Sequence, residues 1–461
     1  MNIEELRNKK ISVIGAERSG VAVATLLHSK HAKVFVSDFG KSESTQKNID
    51  ELRAKNIECE IGGHSERVYD CLLIVISPGV PTNAPVVREA QKRGIKIVAE
   101  IEAASWFCKG SIIAITGSNG KTTTTTLLGR MFSDAKKKHV VAGNIGTAFS
   151  SLVLDVDKET VVVLEVSSFQ LDFIDTFHPK VAFILNITPN HLNRYENSME
   201  KYAESKARIV MNQTADDFFV CNADDQWTKK KVKNVKSKVI QFSSKHKITN
   251  GAYVENEFLK TTLQDTEYAI LNTHEISIQG EHNLQNAMAA TLAAQLMGIS
   301  PAYIKSTLKN FKGVEHRQEF VREVNGIKYI NNSKATTVEA VEVALKSYDE
   351  PIVLIMGGND KGNDYSTIYD LVKKKVKAIV ATGYSADTIV KNFAEKVRVE
   401  KVETIGSAIP NIESMQKTID IATSLAQKGE VVLLAPACTS FDWFVDYEER
   451  GKVFKQLVNQ L

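Results

Sequence analysis

The stretch Ser111–Thr126, S-I-I-A-I-T-G-S-N-G-K-T-T-T-T-T, narrows the possible folds more than any other part of the chain. Ile112, Ile113 and Ile115 form a short β-branched run that reads as a buried strand. Gly117, Asn119 and Gly120 interrupt it, and Lys121–Phe132 is helix-compatible. A strand that enters a helix through a glycine turn aims backbone N–H groups and the positive end of the helix dipole at an anion. Lys121 adds a charge suited to β/γ-phosphates, and Thr122 a hydroxyl suited to Mg²⁺. In the common pattern G-x-x-x-x-G-K-[ST], Ile115 takes the place of the first glycine, and Gly117 restores flexibility slightly later. The stretch reads as a nucleoside triphosphate site, with Gly117, Ser118, Asn119, Gly120, Lys121, Thr122 and Thr123 around the phosphates.

A chain of 461 residues is too long for one core and predicts roughly two to four domains. The net charge of +3, from 58 basic and 55 acidic residues, offers no nucleic-acid surface. The opening M-N-I-E-E-L-R-N-K-K carries charges where a signal peptide needs an apolar core, and no apolar run approaches the length of a membrane span. A cytoplasmic protein with no membrane partner is expected. Cys59, Cys71, Cys108, Cys221 and Cys438 are scattered and lack C-x-x-C spacing, so they read as reduced thiols.

Residues 10–100 alternate strand and helix: strands at Lys10–Ala16, Lys33–Ser37 and Cys71–Ile76, and a helix at Gly20–His31. This predicts a parallel sheet with right-handed crossovers. The turn G-A-E-R-S-G resembles a dinucleotide fingerprint whose middle glycine is replaced by Glu17, which would crowd a pyrophosphate. A half-Rossmann module for another nucleotide fits better, with Asp38 about where a ribose-binding acid would stand. Ser77–Pro81 reads equally as a phosphate contact or a rigid turn. After a boundary near Ser105–Gly110, strands recur at His139–Ala142, Thr160–Val166, Val181–Ile187 and Asp217–Cys221. Hairpins are expected between Ser243 and Gln279, and a helix at His282–Gly298. A boundary near Lys312–Glu315 precedes strands at Lys328–Ile330, Ile352–Met356, Lys377–Ala381 and Val431–Leu434.

Four polar clusters end apolar strands, which is where open α/β sheets bind ligands. They are Ala142–Gly146; Glu165 with the following S-S-F-Q-L-D; Asn186–Tyr195 with His191; and a group in the last unit. Glu165 suits a Mg²⁺ ligand or a water-positioning group, or alternatively a helix cap. Lys201 and Lys206 lie on a predicted helix, and each reads as an ordinary solvated lysine. The last group gathers Glu315–Glu319, Asn331–Thr337, Gly357–Gly362 and Pro436–Asp442, a composition suited to carboxylate or phosphate recognition.

Taken together, T-G-S-N-G-K-T-T, S-S-F-Q-L-D, N-N-S-K-A-T-T, G-G-N-D-K-G and P-A-C-T-S-F-D-W-F-V-D-Y-E-E-R-G resemble the Mur ligases, the ATP-dependent amino-acid ligases of peptidoglycan synthesis. The likeness covers nearly the whole chain, and that family's phosphate loop also lacks the first glycine. The resemblance implies an α/β protein of three domains. These are a Rossmann-like UDP-binding domain (1–108), a central P-loop ATPase domain with a parallel sheet flanked by a small β-sheet (109–313), and a C-terminal Rossmann-like domain for the amino acid (314–461).

It further implies that ATP drives the joining of D-glutamate to UDP-N-acetylmuramoyl-L-alanine by a monomeric enzyme, with hinge closure near 312–316. Lys121, Glu165, His191 and Lys206 would be catalytic. Thr122, Glu165, His191 and Lys206 would hold two Mg²⁺ ions, Lys206 as a carbamate. Gly15, Arg18, Ser19, Asp38, Ser77, Pro78, Gly79, Asn144, Ser167 and Gln170 would bind the UDP substrate. Asn283, Asn286, Arg317 and Asn332 would join the ATP site. His191, Lys334, Thr336, Lys361, Ser440, Phe441 and Tyr447 would take D-glutamate. Asn190, Asn193 and Asn332 depart from the family pattern, which has acids there; each swap removes a charge but keeps hydrogen-bonding reach. Alternatives are another amide ligase of the same superfamily, of Mur or folylpolyglutamate type, or a P-loop ATPase without ligase activity.

Overall fold

A computed structural model describes residues 3–190, 192–231, 235–278, 280–360 and 362–461. It divides into two compact units, Met1–Phe311 and Lys312–Leu461. The expected α/β architecture with parallel sheets is what the chain adopts, in three sheets among the described residues.

The first sheet holds β1 (Lys10–Ile14), β2 (Lys33–Asp38), β3 (Glu58–Ile61), β4 (Leu73–Ile76) and β5 (Lys96–Ala99), all parallel, in the order β3-β2-β1-β4-β5. The chain reverses direction across the sheet between β1 and β4, so the turns after these strands open a crevice at their carboxyl ends. The helix Arg18–Ser29 sits tightly on the first turn. A Cβ on Gly20 would fall 1.8 Å from the Gly15 carbonyl oxygen, so only glycine fits there.

The second sheet has nine strands: β6 (Ser111–Thr116), β7 (His139–Gly143), β8 (Val161–Glu165), β9 (Val181–Ile184), β10 (Phe218–Asn222), β11 (Lys238–Ser243), β12 (Gly251–Glu255), β13 (Phe258–Leu263) and β14 (Thr266–Asn272). Their order is β14-β13-β12-β11-β10-β9-β6-β8-β7. The small β-sheet expected on the flank is the antiparallel meander β12–β14. It is not separate, because β12 pairs in parallel with β11 and so extends the main sheet. The β-branched and aromatic residues of β6, β8, β9 and β10 are buried on both faces, and a fully buried Phe183 or Phe219 stabilises by about 1.5–3 kcal/mol. The helix Glu281–Leu296, rich in alanine and buried from Asn286 to Ala294, packs closely along the helix Lys121–Asp134.

The second unit contains β15 (Glu319–Val324), β16 (Ile327–Asn331), β17 (Ile352–Gly357), β18 (Val376–Thr382), β19 (Arg398–Lys401) and β20 (Val431–Leu434), ordered β15-β16-β20-β17-β18-β19. All are parallel except β15, which runs antiparallel to β16. The five cysteines are free thiols. Burial raises Cys59 to about 11 and Cys221 to about 12.

The helix Glu100–Ser105, which continues β5, ties the first sheet to the second through two fully buried glutamates. Glu100 Oε1 accepts from the Ser150 amide (2.7 Å) and hydroxyl (2.5 Å). Glu102 accepts from the amides of Asp175, Thr176 and Phe177 (2.7–2.9 Å), from the Thr176 hydroxyl and from Trp106 Nε1. Every partner is a donor, so an amide in place of the carboxylate turns one N–H₂ toward N–H groups. Glu102→Gln is expected to destabilise the Met1–Phe311 unit by about 2–4 kcal/mol, read as a shifted denaturation midpoint in Trp106 fluorescence.

Candidate active site

Parallel pairing delivers the loops after β6, β7, β8 and β9 to one edge of the second sheet. The turn after β6 enters the helix Lys121–Asp134 through Gly120, whose φ is +84°. A Cβ there would lie 2.2 Å from Asn286 Oδ1, so glycine is required both by conformation and by space. The first-turn amides of that helix have no intrahelical carbonyl to bond and face an incoming anion. The loop after β9 braces the turn. The Ser118 amide donates to the Asn186 carbonyl (2.9 Å) and the Asn119 amide to Asn186 Oδ1 (2.9 Å), while the Ser118 hydroxyl and the Thr188 main chain exchange hydrogen bonds. Asn283 and Asn286 come to the same place: Asn286 Oδ1 accepts from the Thr124 hydroxyl, and Asn286 Nδ2 donates to Asn283 Oδ1.

Glu165 ends β8 and is 2% exposed. Its Oε2 accepts from the Thr122 hydroxyl at 2.7 Å and its Oε1 from Asn144 Nδ2 at 3.0 Å. One buried carboxylate thus joins the phosphate loop to the loop after β7. Ser167 caps the short helix Ser168–Leu171, and Gln170 Oε1 accepts from the Ser167 amide and hydroxyl. Gln170 Nε2, also buried, has no hydrogen-bond partner among the described residues and is a donor available to a ligand.

The two lysines that the residue pattern leaves alike are separated by the structure. Lys201 is exposed and pairs with Glu196. Lys206 is 1% exposed, its Nζ 3.0 Å from the Gly117 carbonyl and 4.6 Å from the Tyr202 ring centre. Lys121 Nζ donates to the same carbonyl at 2.8 Å. Burial first, then the neighbouring Lys121 charge, push the Lys206 amine well below the ordinary lysine range, with Asp172 opposing weakly. The signal was in the spacing. Lys206 follows Tyr202 by four residues and Ala203 by three, on the buried stripe of the helix Met199–Ala207.

At the edge of the first sheet, Gly15, Arg18, Ser19, Asp38 and Ser77–Gly79 line a cavity of about 1080 Å³ together with Phe39, His64, Tyr69 and Asn144. Asp38 also has a local role: its carboxylate accepts from the Ala16 amide (2.5 Å) and the Gly40 amide (2.6 Å) and so shapes the turn. The Arg18 guanidinium points to main-chain carbonyls of the loop after β7.

In the second unit the four sequence clusters meet at the carboxyl edge of the third sheet. The Gln318 amide donates to Asn332 Oδ1 (3.2 Å), the Lys334 amide to the His316 carbonyl (3.1 Å), and Asn359 bridges to Thr439. Lys334 Nζ lies 5.2 Å from the Tyr447 ring centre; Ser440 is buried, Phe441 exposed, Thr336 half-buried and Arg317 exposed. A residue missed by sequence reasoning organises this edge. Arg450, 3% exposed, donates to the Ser333 hydroxyl and carbonyl (2.9 and 2.8 Å) and to the Cys438 carbonyl (3.2 Å), and its burial lowers its pKa to about 10. It lies three and four residues before Val453 and Phe454, on the apolar stripe of its helix, which was the available clue. His191 and Lys361 lie outside the described residues.

A strand, glycine turn and helix with a lysine on the loop and a carboxylate at the neighbouring strand's end define the phosphate-loop nucleotide-binding class. Three family models match the chain in order: the MurD-like N-terminal domain of Mur ligases over residues 9–99, the Mur ligase middle domain over 115–294, and the Mur ligase glutamate ligase domain over 316–438. Among curated relatives, the UDP-N-acetylmuramoylalanine--D-glutamate ligase of Pelotomaculum thermopropionicum is 42% identical and covers 100% of this chain and 99% of its own. The protein of the same name from Chloroherpeton thalassium is 41% identical over 100% of both chains. A solved MurF ligase from Thermotoga maritima, in complex with ADP, shares the fold at 15% identity, with a TM-score of 0.54 over 100% of this chain and 97% of that one. The chain belongs to the Mur ligase family.

Gly120→Ala tests the loop geometry. Strain at a positive φ together with the Asn286 clash is expected to weaken binding of a fluorescent ATP analogue about tenfold or more and to lower the thermal midpoint by a few degrees.

Proposed function

We propose that the chain is an ATP-dependent ligase that joins D-glutamate to UDP-N-acetylmuramoyl-L-alanine, releasing ADP and phosphate, in cytoplasmic peptidoglycan precursor synthesis. The observation that carries this reading is the Thr122–Glu165–Asn144 chain of hydrogen bonds, which links a phosphate loop directly to a residue lining the neighbouring cavity. A phosphoryl donor and the far end of a cavity-bound substrate are thereby brought to one carboxylate. The names of the full-length relatives support D-glutamate as the second substrate. Residues 1–108 take the UDP end, 109–313 take ATP, and 314–461 take the amino acid.

A carboxylate is a poor acyl electrophile, so the L-alanyl carboxylate first attacks the γ-phosphorus of ATP and becomes an acyl phosphate as ADP leaves. Phosphoryl transfer needs positioning and charge neutralisation more than covalent help. Lys121 and the first-turn amides of its helix supply both. The D-glutamate amine, freed of its ammonium proton, attacks the carbonyl carbon; the tetrahedral intermediate loses a second proton from nitrogen to solvent and expels phosphate to leave an amide. Lys334, Thr336, Ser440, Phe441 and Tyr447 orient the amino acid on the third sheet's edge, with Lys361. Gln170 Nε2, buried and without a hydrogen-bond partner among the described residues, is a donor for the acceptor substrate.

The Thr122 hydroxyl and the Glu165 carboxylate are the hard oxygen donors that Mg²⁺ takes, and these residues, with His191 and Lys206, would hold the two ions. Bound Mg²⁺ would neutralise charge on the transferring phosphate. Lysine serves such a site only as an anion. The Lys206 amine shares a carbonyl with Lys121 in a buried setting, which favours the neutral form that adds CO₂, loses a proton and becomes a carbamate.

Phosphate release from ATP is expected only when UDP-N-acetylmuramoyl-L-alanine and D-glutamate are both present; ATP cleavage at the same rate without either would overturn the proposal. Lys206→Ala is expected to lose about 100-fold or more in rate, with partial recovery on adding short carboxylic acids. Full activity in that variant would remove the carbamate from the scheme.

A further inference from the structure

The cavity belongs to the first sheet and the phosphate loop to the second, so a substrate that reaches from one to the other needs both edges held in register. Two arginines span this gap in opposite senses. Arg18 of the first module donates through Nη1 to the Gly146 carbonyl and through Nη2 to the carbonyls of Gly143 and Asn144, both at 3.4 Å. Arg194, in the turn Leu192–Tyr195 of the second module, donates through Nη1 to the Pro78 carbonyl (3.2 Å) and through Nη2 to the Gly79 carbonyl (3.0 Å). Its guanidinium lies 4.0 Å from the Phe169 ring centre, and that ring stacks with Tyr195.

Each arginine therefore grips the main chain of the other module's ligand-facing loop. The loop that Arg194 holds is itself a prop for the first turn. The Ser77 amide donates to the Ile14 carbonyl (3.0 Å) and the Ser77 hydroxyl to the Gly15 carbonyl (3.2 Å). The loop that Arg18 holds carries Asn144, whose amide reaches Glu165 and, through it, Thr122. A planar guanidinium can serve two neighbouring carbonyls and stack on a ring at once, which an ammonium cannot.

We propose that Arg194 is a positioning residue for the substrate in the cavity, acting with Arg18 as a reciprocal clamp that fixes the separation between the Ser77–Gly79 loop and the phosphate loop. The proposal rests on the reading of the cavity as the seat of the UDP-linked substrate. Acting through loop position, Arg194 affects one substrate and not the others. Loosening the loop by about 1 Å weakens the hold on that substrate and raises its KM on the order of 10-fold, while any fall in kcat is common to all three substrates. The KM values for ATP and D-glutamate stay as they are.

The test uses the full chain with Arg194→Ala and Arg194→Lys. Hydrogen exchange over peptides covering residues 76–82 needs no turnover, and it is expected to quicken in Arg194→Ala while exchange in the first turn of the helix Lys121–Asp134 is unchanged. Steady-state kinetics are expected to show the selective loss, with Arg194→Lys recovering only part of it. Unchanged exchange over 76–82 overturns the clamp whatever the activity. Equal rises in KM for all three substrates, together with a lowered thermal midpoint, also overturn it, because they mark a merely structural side chain. If the wild-type chain turns over no UDP-linked substrate, the functional reading falls, and the exchange measurement alone decides the clamp.

Discussion

Parallel pairing is the constraint on which the rest of the molecule depends. A parallel strand hands whatever follows it to the same edge as its neighbours, so β6, β8 and β9 bring Lys121, Glu165 and Asn186 together although many residues separate them in sequence. The same rule gathers Gly15, Asp38 and Ser77 on the first sheet, and Ser333, Gly358 and Cys438 on the third. Because β6, β8, β9, β17 and β20 are buried on both faces, their polar exits lie at their ends. The chemistry of the chain is therefore an edge chemistry, with apolar scaffolding behind it.

Within that frame, charges are handled by unequal means. Glu165 is satisfied by two side-chain donors, and Glu102 by three amides, one hydroxyl and an indole N–H. Arg450 has carbonyls and a hydroxyl as its hydrogen-bond acceptors, so its positive charge is spread over main-chain dipoles of two loops that it thereby joins. Lys206 has one hydrogen-bonding carbonyl, shared with another ammonium, with the Tyr202 ring and the charge of Asp172 as its other compensation. Burial and the neighbouring ammonium together push this amine well below the ordinary lysine range.

The strand–turn–helix at Ser111–Thr126 was legible because β-branched residues, glycines and a lysine fall in an order with few other physical uses. The clusters at strand ends were legible for a similar reason: polar residues interrupt apolar runs abruptly. Single charged residues on helices were harder. Lys206 and Arg450 look solvated one at a time, and only their place on an apolar stripe, read at a spacing of three and four, marks them as buried. Arg18 and Arg194 were beyond such reading, since their partners are backbone carbonyls more than a hundred residues away and no side-chain type betrays them. The strands β3, β5 and β19 are short and β11 is partly polar, and tertiary pairing, more than local preference, makes them strands.

The buried acids of the helix Glu100–Ser105 have an evolutionary consequence. Their hydrogen-bond partners sit at Ser150 and at residues 175–177, so the seam between the first two modules is inscribed on both sides of it. Recombination that swaps the front of the gene can cross over ahead of β5 and leave this lock with its own keyhole. A fragment cut behind Ser105 would carry Glu100 and Glu102 away from these partners, so a cut ahead of Lys96 divides the two modules with less loss.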